Sequence, residues 1–272
     1  MTTAHKSFDY VLVGGGSAGC VLANRLTANG VYSVCLLERG YRAEKFPEKT
    51  WILQHPWSRL FTCRQATEFS MAYYTTPQAH CNDRRLVSPR GTTFGGSGAI
   101  NGACWVRGDP RDYDRWANED GCTGGSFKEC LPYFKRIETY ESGIRMDAES
   151  LPGGLDEMIA QDKAYAKEIA KYRGDSGPIR TLSGRVVLER YKKQSNGANI
   201  IRAGMQAGYR YNPDHNGPDF EGIGWFDTNV REGTRDHTGQ AYLEPANERS
   251  NLKIIEGSTR NSYSWRRISG HR

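Results

Sequence analysis

Residues 8–40, FDYVLVGGGSAGCVLANRLTANGVYSVCLLERG, constrain the fold of this chain more than any other stretch. Tyr10 to Val13 is a short β-branched and apolar run, suited to a strand buried on both faces. It leads straight into Gly14, Gly16 and Gly19, spaced G-x-G-x-x-G. Each position has a physical reason to be glycine: one for the tight turn, one for close backbone approach to a pyrophosphate, one for helix–strand packing. A helix over Ala18 to Ala28 then aims its unpaired N–H groups and positive dipole end at that pyrophosphate. Val31 to Leu37 reads as the second strand, and Glu38 closes it about 20 residues past the last glycine, where a ribose hydroxyl is bound. The glycine motif alone is a common accident of turn sequences, but strand, glycines, helix, strand and acid in this order specify dinucleotide binding. A carboxylate at 38 favours a ribose 2′-OH and repels a 2′-phosphate, so FAD or NAD fits and NADP fits badly.

The fold class that follows is α/β, a Rossmann-like FAD/NAD(P)-binding domain, and 272 residues leave room for the beginning of a second domain. The 31 glycines are spread among ordered patterns without a repeat, which suits a loop-rich α/β protein and not a low-complexity one. A net charge of +6 is modest, and Lys and Arg are interspersed with acids, with no basic block carrying aromatics, so nucleic acid is not expected as a partner. Cys20, Cys35, Cys63, Cys81, Cys104, Cys122 and Cys130 are odd in number, scattered, and without a C-x-x-C pair. They argue against a disulfide framework or a metal site, and for buried thiols in a reducing compartment. The stretch before Tyr10 has no apolar h-region, and no apolar run is long enough to span a bilayer. The expectation is a soluble, cytoplasmic protein.

Residues 41–74 mix Trp51, Trp57, Phe61 and Phe69 with Pro47 and Pro56, an irregular covering segment; His55 in it and His80 just after it lack further ligands at metal spacing. A second dense stretch follows, SPRGTTFGGSGAINGACWVRGDPRDYDRW, residues 88–116. Gly91, Gly95, Gly96, Gly98 and Gly102 crowd it, but Phe94, Ile100, Asn101 and Trp105 are residues a flexible linker would not need. A glycine-rich backbone bending closely around a flat ring, with Asn101 supplying hydrogen bonds, accounts for the composition better. Asp109 as cap and Pro110 at the first position open a helix.

On these two stretches the chain resembles the glucose–methanol–choline oxidoreductase family, and within it the choline-dehydrogenase-like alcohol dehydrogenases. VLVGGGSAGCVLANRL with LLERG, and GTTFGGSGAINGACWVRGDPRDYDRWA, carry the resemblance. LPYFKRIE, GYRYNPDHNGPDFEGIG and AYLEPANERSNLKI extend it to about Gly257, with the weakest similarity between Gly143 and Gly174. The resemblance implies FAD. Gly14, Gly16, Ser17, Ala18 and Gly19 would hold the pyrophosphate and Glu38 the adenosine ribose. Gly95, Gly96, Ser97, Asn101, Gly102 and Trp105 would lie along the ribityl chain and isoalloxazine. Thr92 and Phe94 depart from the usual signature, where a basic and an aliphatic residue are common. Some members tether FAD through a histidine just before the asparagine; Ile100 stands there in this chain, so non-covalent FAD is implied. The implied domain order is an FAD-binding part over 1–142, a partial substrate-binding domain over 143–220, a return to the FAD-binding domain over 221–259, and an atypical tail over 260–272.

Further along, a helix is expected over Leu155 to Tyr172, with Glu157, Lys163, Lys167 and Glu168 on a solvated face, and another around Gly197 to Gly208. Asp214, His215 and Asn216 read as a turn after Pro213. His215 and His237 are the available imidazoles there, but neither matches a family catalytic position, so no catalytic or metal residue is assigned. Asn251 to Ile255 looks like the strand returning to the FAD domain. Arg260 stands where the family packs a valine on the adenine, and NSYSWRRISGHR has no family counterpart. The family's second signature and its catalytic histidine with a His or Asn partner, which belong to its C-terminal half, are not found. The resemblance therefore implies an oxidoreductase of CH–OH donors with a small alcohol substrate. A non-catalytic FAD-binding fragment and an NAD-dependent Rossmann dehydrogenase are the alternatives. The alcohol and the electron acceptor stay open. An open, aggregation-prone edge is expected at Leu252 to Ile255.

Overall fold

The computed structural model describes residues 7–55, 67–144, 158–186 and 196–258. The chain forms two compact units, one of Met1–Gly102 with Thr234–Arg272 and one of Ala103–Gly233. In the first, β1 (Tyr10–Val13), α1 (Ser17–Thr27) and β2 (Val34–Leu37) follow the expected order. The strand Leu252–Ile255 joins them in a parallel three-stranded sheet with β2 in the middle. Its register is set residue for residue: Leu12 and Ile254 both face Leu36, and Tyr10 and Leu252 both face Val34. A strand with neighbours on both sides has no room for water, and all four residues of β2 are buried. On α1 the buried residues are Cys20, Ala23, Asn24 and Thr27, the i, i+3, i+4, i+7 set of one helix face. All are small or compact, which seats the helix close to Val34, Leu36, Leu243, Ala246 and Leu252.

β1 corrects one expectation. It is not buried on both faces: Tyr10 and Val11 are exposed, and Val13 is 77% exposed. Among the described residues its only strand partner is β2, because it forms one margin of the sheet. The open edge expected at Leu252–Ile255 thus has a counterpart at β1, and β1 is the more exposed of the two. The hairpin β3 (Ser70–Tyr74) and β4 (Val87–Gly91) delivers the second glycine stretch, with Ser70 paired to Gly91.

The second unit carries a four-stranded sheet. β5 (Cys104–Trp105) precedes α-helices Pro110–Asn118 and Phe127–Ile137, then β6 (Glu138–Glu141), β7 (Ile179–Ser183) and β8 (Asp227–Thr228), in the order β5-β8-β7-β6. The two units divide after Gly102 and after Gly233. The reason is pairing: β5 is hydrogen-bonded to β8 and β6 to β7, so residues 103–142 are structural members of this unit. Asp109 caps the first helix, its side chain accepting from Arg111 N, with Pro110 at the first position as expected. The expected helix over 155–172 is two, Ile159–Ala166 and Ile169–Tyr172, with 155–157 outside the described residues. Between them the chain tightens into bonds three residues apart, Glu168 N to Tyr165 O and Lys171 N to Glu168 O.

Glu138 organises this unit's interior. Fully buried, its Oε2 accepts from Arg107 Nη2 at 2.7 Å and its Oε1 from Arg173 Nη1 at 2.7 Å and Thr181 Oγ1 at 2.9 Å. Arg173 in turn grips Asp214 with Nε at 2.8 Å and Nη2 at 3.0 Å, and also pairs with Asp227. Buried charges are costly unless paired or hydrogen-bonded, and removing one partner leaves the other uncompensated. Glu138→Ala is expected to lower unfolding stability by about 3–5 kcal/mol. The measurement is the urea midpoint at unchanged slope; a shift within the experimental error would show that the two arginines find other partners.

Candidate cofactor site

The site in the first unit is built where two glycine loops touch backbone to backbone. Gly15 O accepts from Gly95 N at 2.8 Å, and Gly16 and Gly95 form an isolated parallel bridge. Ser17 Oγ donates to Gly95 O at 3.2 Å, while Ser97 Oγ accepts from Gly91 N at 3.1 Å. A Cβ on Gly96 would stand 2.8 Å from Gly16 Cα, and one on Gly95, itself at φ +90°, would stand 2.4 Å from His237 Nδ1. Side chains at these places would pry the loops apart, which is why glycine is dense in both.

The three glycines of the first motif have separable tasks. Gly14 turns the chain at φ +99°. A Cβ on Gly19 would stand 2.0 Å from Gly14 O, so this position holds α1 against the turn. Gly16 is different: its φ of −71° suits any residue, and the nearest atom to an added Cβ is Gly96 Cα at 4.0 Å. The side of Gly16 is therefore open, and it lies at the N-cap of α1, where first-turn amides have no partner within the helix. An open glycine face at an eleven-residue helix's positive end fits a pyrophosphate. Ser17, Ala18 and Gly19 form the first turn, and Gly14, Gly16, Ser17, Gly95, Gly96 and Ser97 come together in one place.

Glu38 lies at the end of β2 as expected, but its carboxylate is already engaged with the loops. Oε2 accepts from Gly15 N at 2.6 Å and Oε1 from Gly40 N at 2.8 Å. Each carboxylate oxygen has a second lone pair, so this arrangement is compatible with a ribose hydroxyl. It adds a function that the sequence did not suggest, holding the turn at Gly15 in place. Phe94 occupies the position where an aliphatic was expected; it is buried, belongs to the core around Leu36, and approaches Gly15 so closely that a Cβ there would stand 2.7 Å from its ring. Asn101 and Gly102 end the first unit, and Trp105 is on β5 in the second. Trp105 Nε1 is buried with no hydrogen-bond partner among the described residues. Arg260 and the tail after it lie outside the described residues.

Two histidines invited attention as bases. His215 is held by Phe220, with Nδ1 at 3.0 Å from its carbonyl oxygen and the rings edge to face. His237 is 8% exposed, and Nδ1 accepts from Gly239 N at 3.1 Å, which fixes the proton on Nε2. Burial first, and then the neighbouring Arg235 cation, push its pKa down to about 4. His237 and Phe94 border a cavity of about 210 Å³ with Arg42, Thr50, Gln54 and Gln240. That is below the approximately 300–1,000 Å³ of pockets for drug-sized ligands, so a dinucleotide would lie along the open glycine face and not inside it. Sequence reading missed Arg235, which is fully buried in this unit, since the run REGTRDH resembles a solvated turn.

The family profile described as GMC oxidoreductase matches residues 8–262. An oxygen-dependent choline dehydrogenase of Vibrio vulnificus is 36% identical over 252 residues, covering 93% of this chain and 39% of the relative. One of Staphylococcus aureus is 34% identical over 273 residues, covering 99% and 42%. Among solved structures, pyridoxine 4-oxidase from Mesorbium loti superposes with a TM-score of 0.72 at 25% identity, over 92% of this chain and 42% of that one. A formate oxidase gives a TM-score of 0.70 at 21% identity, over 94% and 39%, a likeness of fold. The chain thus spans about two fifths of the length of the relatives it matches.

The glycines give a paired test. Gly16→Ala is expected to leave the melting temperature of the ligand-free protein within a few degrees of the original while removing dinucleotide binding. Gly19→Ala should unfold the motif itself, because its Cβ has backbone at 2.0 Å. Equal losses of stability in both would refute the division of tasks. His237 gives a pH test. Its folded pKa lies below the unfolded value of 6.5, so its contribution is fully present above pH 6.5 and is lost as pH falls towards 4. At pH 5 the loss from this group is about 2 kcal/mol; denaturant midpoints at pH 7 and 5 should differ less by that amount in His237→Gln than in the parent.

Proposed function

The chain belongs to the GMC oxidoreductase family, and from that membership we propose that it is the flavin-holding portion of an FAD-dependent oxidoreductase of CH–OH donors. The observation that supports this most directly is the joining of two glycine loops at the N-terminus of α1, with the open face of Gly16 between Glu38's turn and the Gly95–Gly96 turn. The first loop, with Ser17, Ala18 and Gly19, would take the pyrophosphate. Glu38 would take the adenosine ribose through its remaining lone pairs. Gly95, Gly96, Ser97, Asn101, Gly102 and Trp105 would lie along the ribityl chain and ring. An NAD-only site would have no use for the second loop, which is why FAD is preferred. Ile100 is buried among Ile52, Leu53, Phe69 and Ala99 and has no nucleophilic atom, which supports non-covalent attachment.

When bound, FAD supplies the two-electron acceptor for an alcohol's carbinol hydride. This chain's own residues bind and orient it: the helix amides offset pyrophosphate charge, and Glu38 and Phe94 keep the first turn closed. The named relatives are choline dehydrogenases, so a small alcohol is the substrate class, and the specific alcohol and electron acceptor belong to the whole protein. A second reading, a flavin-binding piece without catalysis of its own, is favoured by the two histidines. His237, at a pKa of about 4, is a weak base, and the ring of His215 is tied to Phe220. General base catalysis typically contributes about 10²–10⁴-fold, and neither imidazole is set up to supply it.

The purified 272-residue chain is expected to show a flavin absorption spectrum, and acid precipitation should leave the flavin in the supernatant. Yellow pellet would overturn the non-covalent assignment, and a nicotinamide spectrum the cofactor. Dye-linked oxidation of small alcohols by the chain alone should stay at background. Robust turnover would exclude the second reading and make His215 and His237 the first residues to replace.

A further inference from the structure

Dinucleotide binding does not account for the cavity of about 210 Å³ in the first unit, for none of Gly14, Gly16, Gly95 or Gly96 borders it. Its floor is made by the buried Leu53, Phe94, His237 and Leu243, and its rim by the exposed Glu44, Gln54 and Glu244. The floor contains a donor with nothing to donate to. The Cε1 side of the His237 ring packs against two glycines: an added Cβ would stand 3.1 Å from Cε1 on Gly95 and 2.8 Å from it on Gly239. Nδ1 is occupied by Gly239 N, which leaves the proton on Nε2. Nε2 has no partner among the described residues and is not sealed inside the core. In a ring that is 8% exposed and borders the cavity, that N–H is directed into the cavity. A donor so enclosed is destabilising without an acceptor, and it marks a place where a ligand atom can accept.

The rim is unmatched in the opposite sense. The side chains of Glu44 and Glu244 make no hydrogen bond or ion pair among the described residues. The cations flanking Glu44 in sequence are committed elsewhere. Arg42 donates through Nε to Glu256 at 2.7 Å and through Nη2 to Asn247 at 3.1 Å, and Lys45 lies over the Tyr41 ring at 3.3 Å. Partial burial, and then the Glu44 carboxylate, push the Glu244 carboxyl up. Two carboxylates that repel each other at one opening favour a cation there. We propose that the cavity binds a small primary ammonium compound with a hydroxyl or carbonyl oxygen at its other end. The oxygen accepts from His237 Nε2–H at the floor, and the ammonium lies at the rim with Glu44 and Glu244. A primary ammonium suits this rim because carboxylates and the amide oxygens of Gln54 and Gln240 take N–H donors. A quaternary ammonium wants aromatic faces, and the Phe94 ring is already covered by Arg42, whose guanidinium carbon lies 5.3 Å from the ring centroid. A metal ion would be under-coordinated, since no three acidic, imidazole or thiol groups converge among the described residues. The proposal stands apart from the flavin reading, because the cavity shares none of the glycines that would carry the pyrophosphate.

The test is isothermal titration calorimetry of the purified chain with a homologous series of linear amino-alcohols. Each is compared with the alkylamine of the same length, the alcohol without the amine, and the N-trimethylated form. At least one amino-alcohol is expected to bind, and its alkylamine to bind about tenfold more weakly for want of the oxygen. The plain alcohol and the trimethylated form should also lose about tenfold, having no N–H donor for the rim. Replacing both rim acids, Glu44→Gln with Glu244→Gln, should weaken the amino-alcohol about three- to tenfold, a modest factor because both carboxylates are exposed, and added salt should weaken the parent likewise. The ¹⁵N signal of His237 Nε2, assigned by its loss in His237→Gln, should move with the amino-alcohol and stay in place with the alkylamine. No binding by any amino-alcohol of the series, equal affinity for the alkylamine, or undiminished affinity in the double variant would overturn the proposal. If the double variant does not fold, the ligand series and the imidazole signal decide. A parent chain that binds amino-alcohol but no flavin would sink the proposed function and leave this site standing.

Discussion

The contact of the Gly15–Gly16 turn with the Gly95–Gly96 turn is the constraint from which most of the first unit follows. Two stretches some eighty residues apart can meet backbone to backbone only if neither carries a side chain at the meeting point. Once they meet, Gly15 is committed from three sides. Its carbonyl accepts from Gly95 N and Cys20 Sγ, its amide donates to Glu38, and the Phe94 ring covers its α-carbon. A loop held so closely has few alternative conformations to lose on binding a ligand, and preorganisation of that kind lowers the entropy cost of association. The strand β2 supplies Glu38, α1 supplies the dipole, and β4 delivers the second loop, so the sheet positions the turn more than it encloses a pocket.

The second unit is held by different physics. Beside an apolar cluster of Met158, Ala198, Ile201 and Tyr211, its interior is held by ion pairs: Glu138, Arg107, Arg173, Asp214 and Asp227 form one connected set, and Asp162, Arg185 and Tyr211 form another. The Asp162 carboxyl is pushed up by burial, while Arg185 and Tyr211 oppose that shift. Such sets contribute little net stability over an apolar core but penalise every arrangement that separates the partners. They join elements far apart in sequence. Glu138 on β6 is tied to Arg107 before the first helix of the unit, and Asp227 on β8 to Arg173 after the short helix Ile169–Tyr172. The chain thus uses charge to specify a topology made of short strands and little continuous apolar surface.

What was legible in the sequence was the part governed by local rules. The glycine spacing, the strand before it, the acid after β2 and the Asp109–Pro110 helix start each follow from conformational preferences within a few residues, and the structure has them within about three residues of the expected bounds. Non-local consequences were not legible. The exposure of β1 depends on which strands flank it, and the same apolar run would be buried in a wider sheet. Asp162 lies on a helix whose alternating charges read as a solvated face, and only Arg185 and Tyr211, supplied from elsewhere in the unit, explain its burial. Nor was it legible that two residues of β5 pair with a strand more than a hundred positions later.

The same distinction explains the placement of Arg235 and His237. Both come from a hydrophilic run whose composition predicts solvent, and both are buried against the glycine loop. They act on that loop in complementary ways. Arg235 donates to the Asn101 side chain and carbonyl at one end, while His237, neutral and with Nδ1 occupied by Gly239 N, fills the space beneath Gly95 at the other. A protonated imidazole there would place a second cation beside Arg235 and remove the acceptor for Gly239 N, so the loop's support depends on His237 remaining neutral. The depressed pKa of that histidine and the positive φ of Gly95 are two results of one packing arrangement. The glycine admits the ring, and the ring, once enclosed, disfavours the proton.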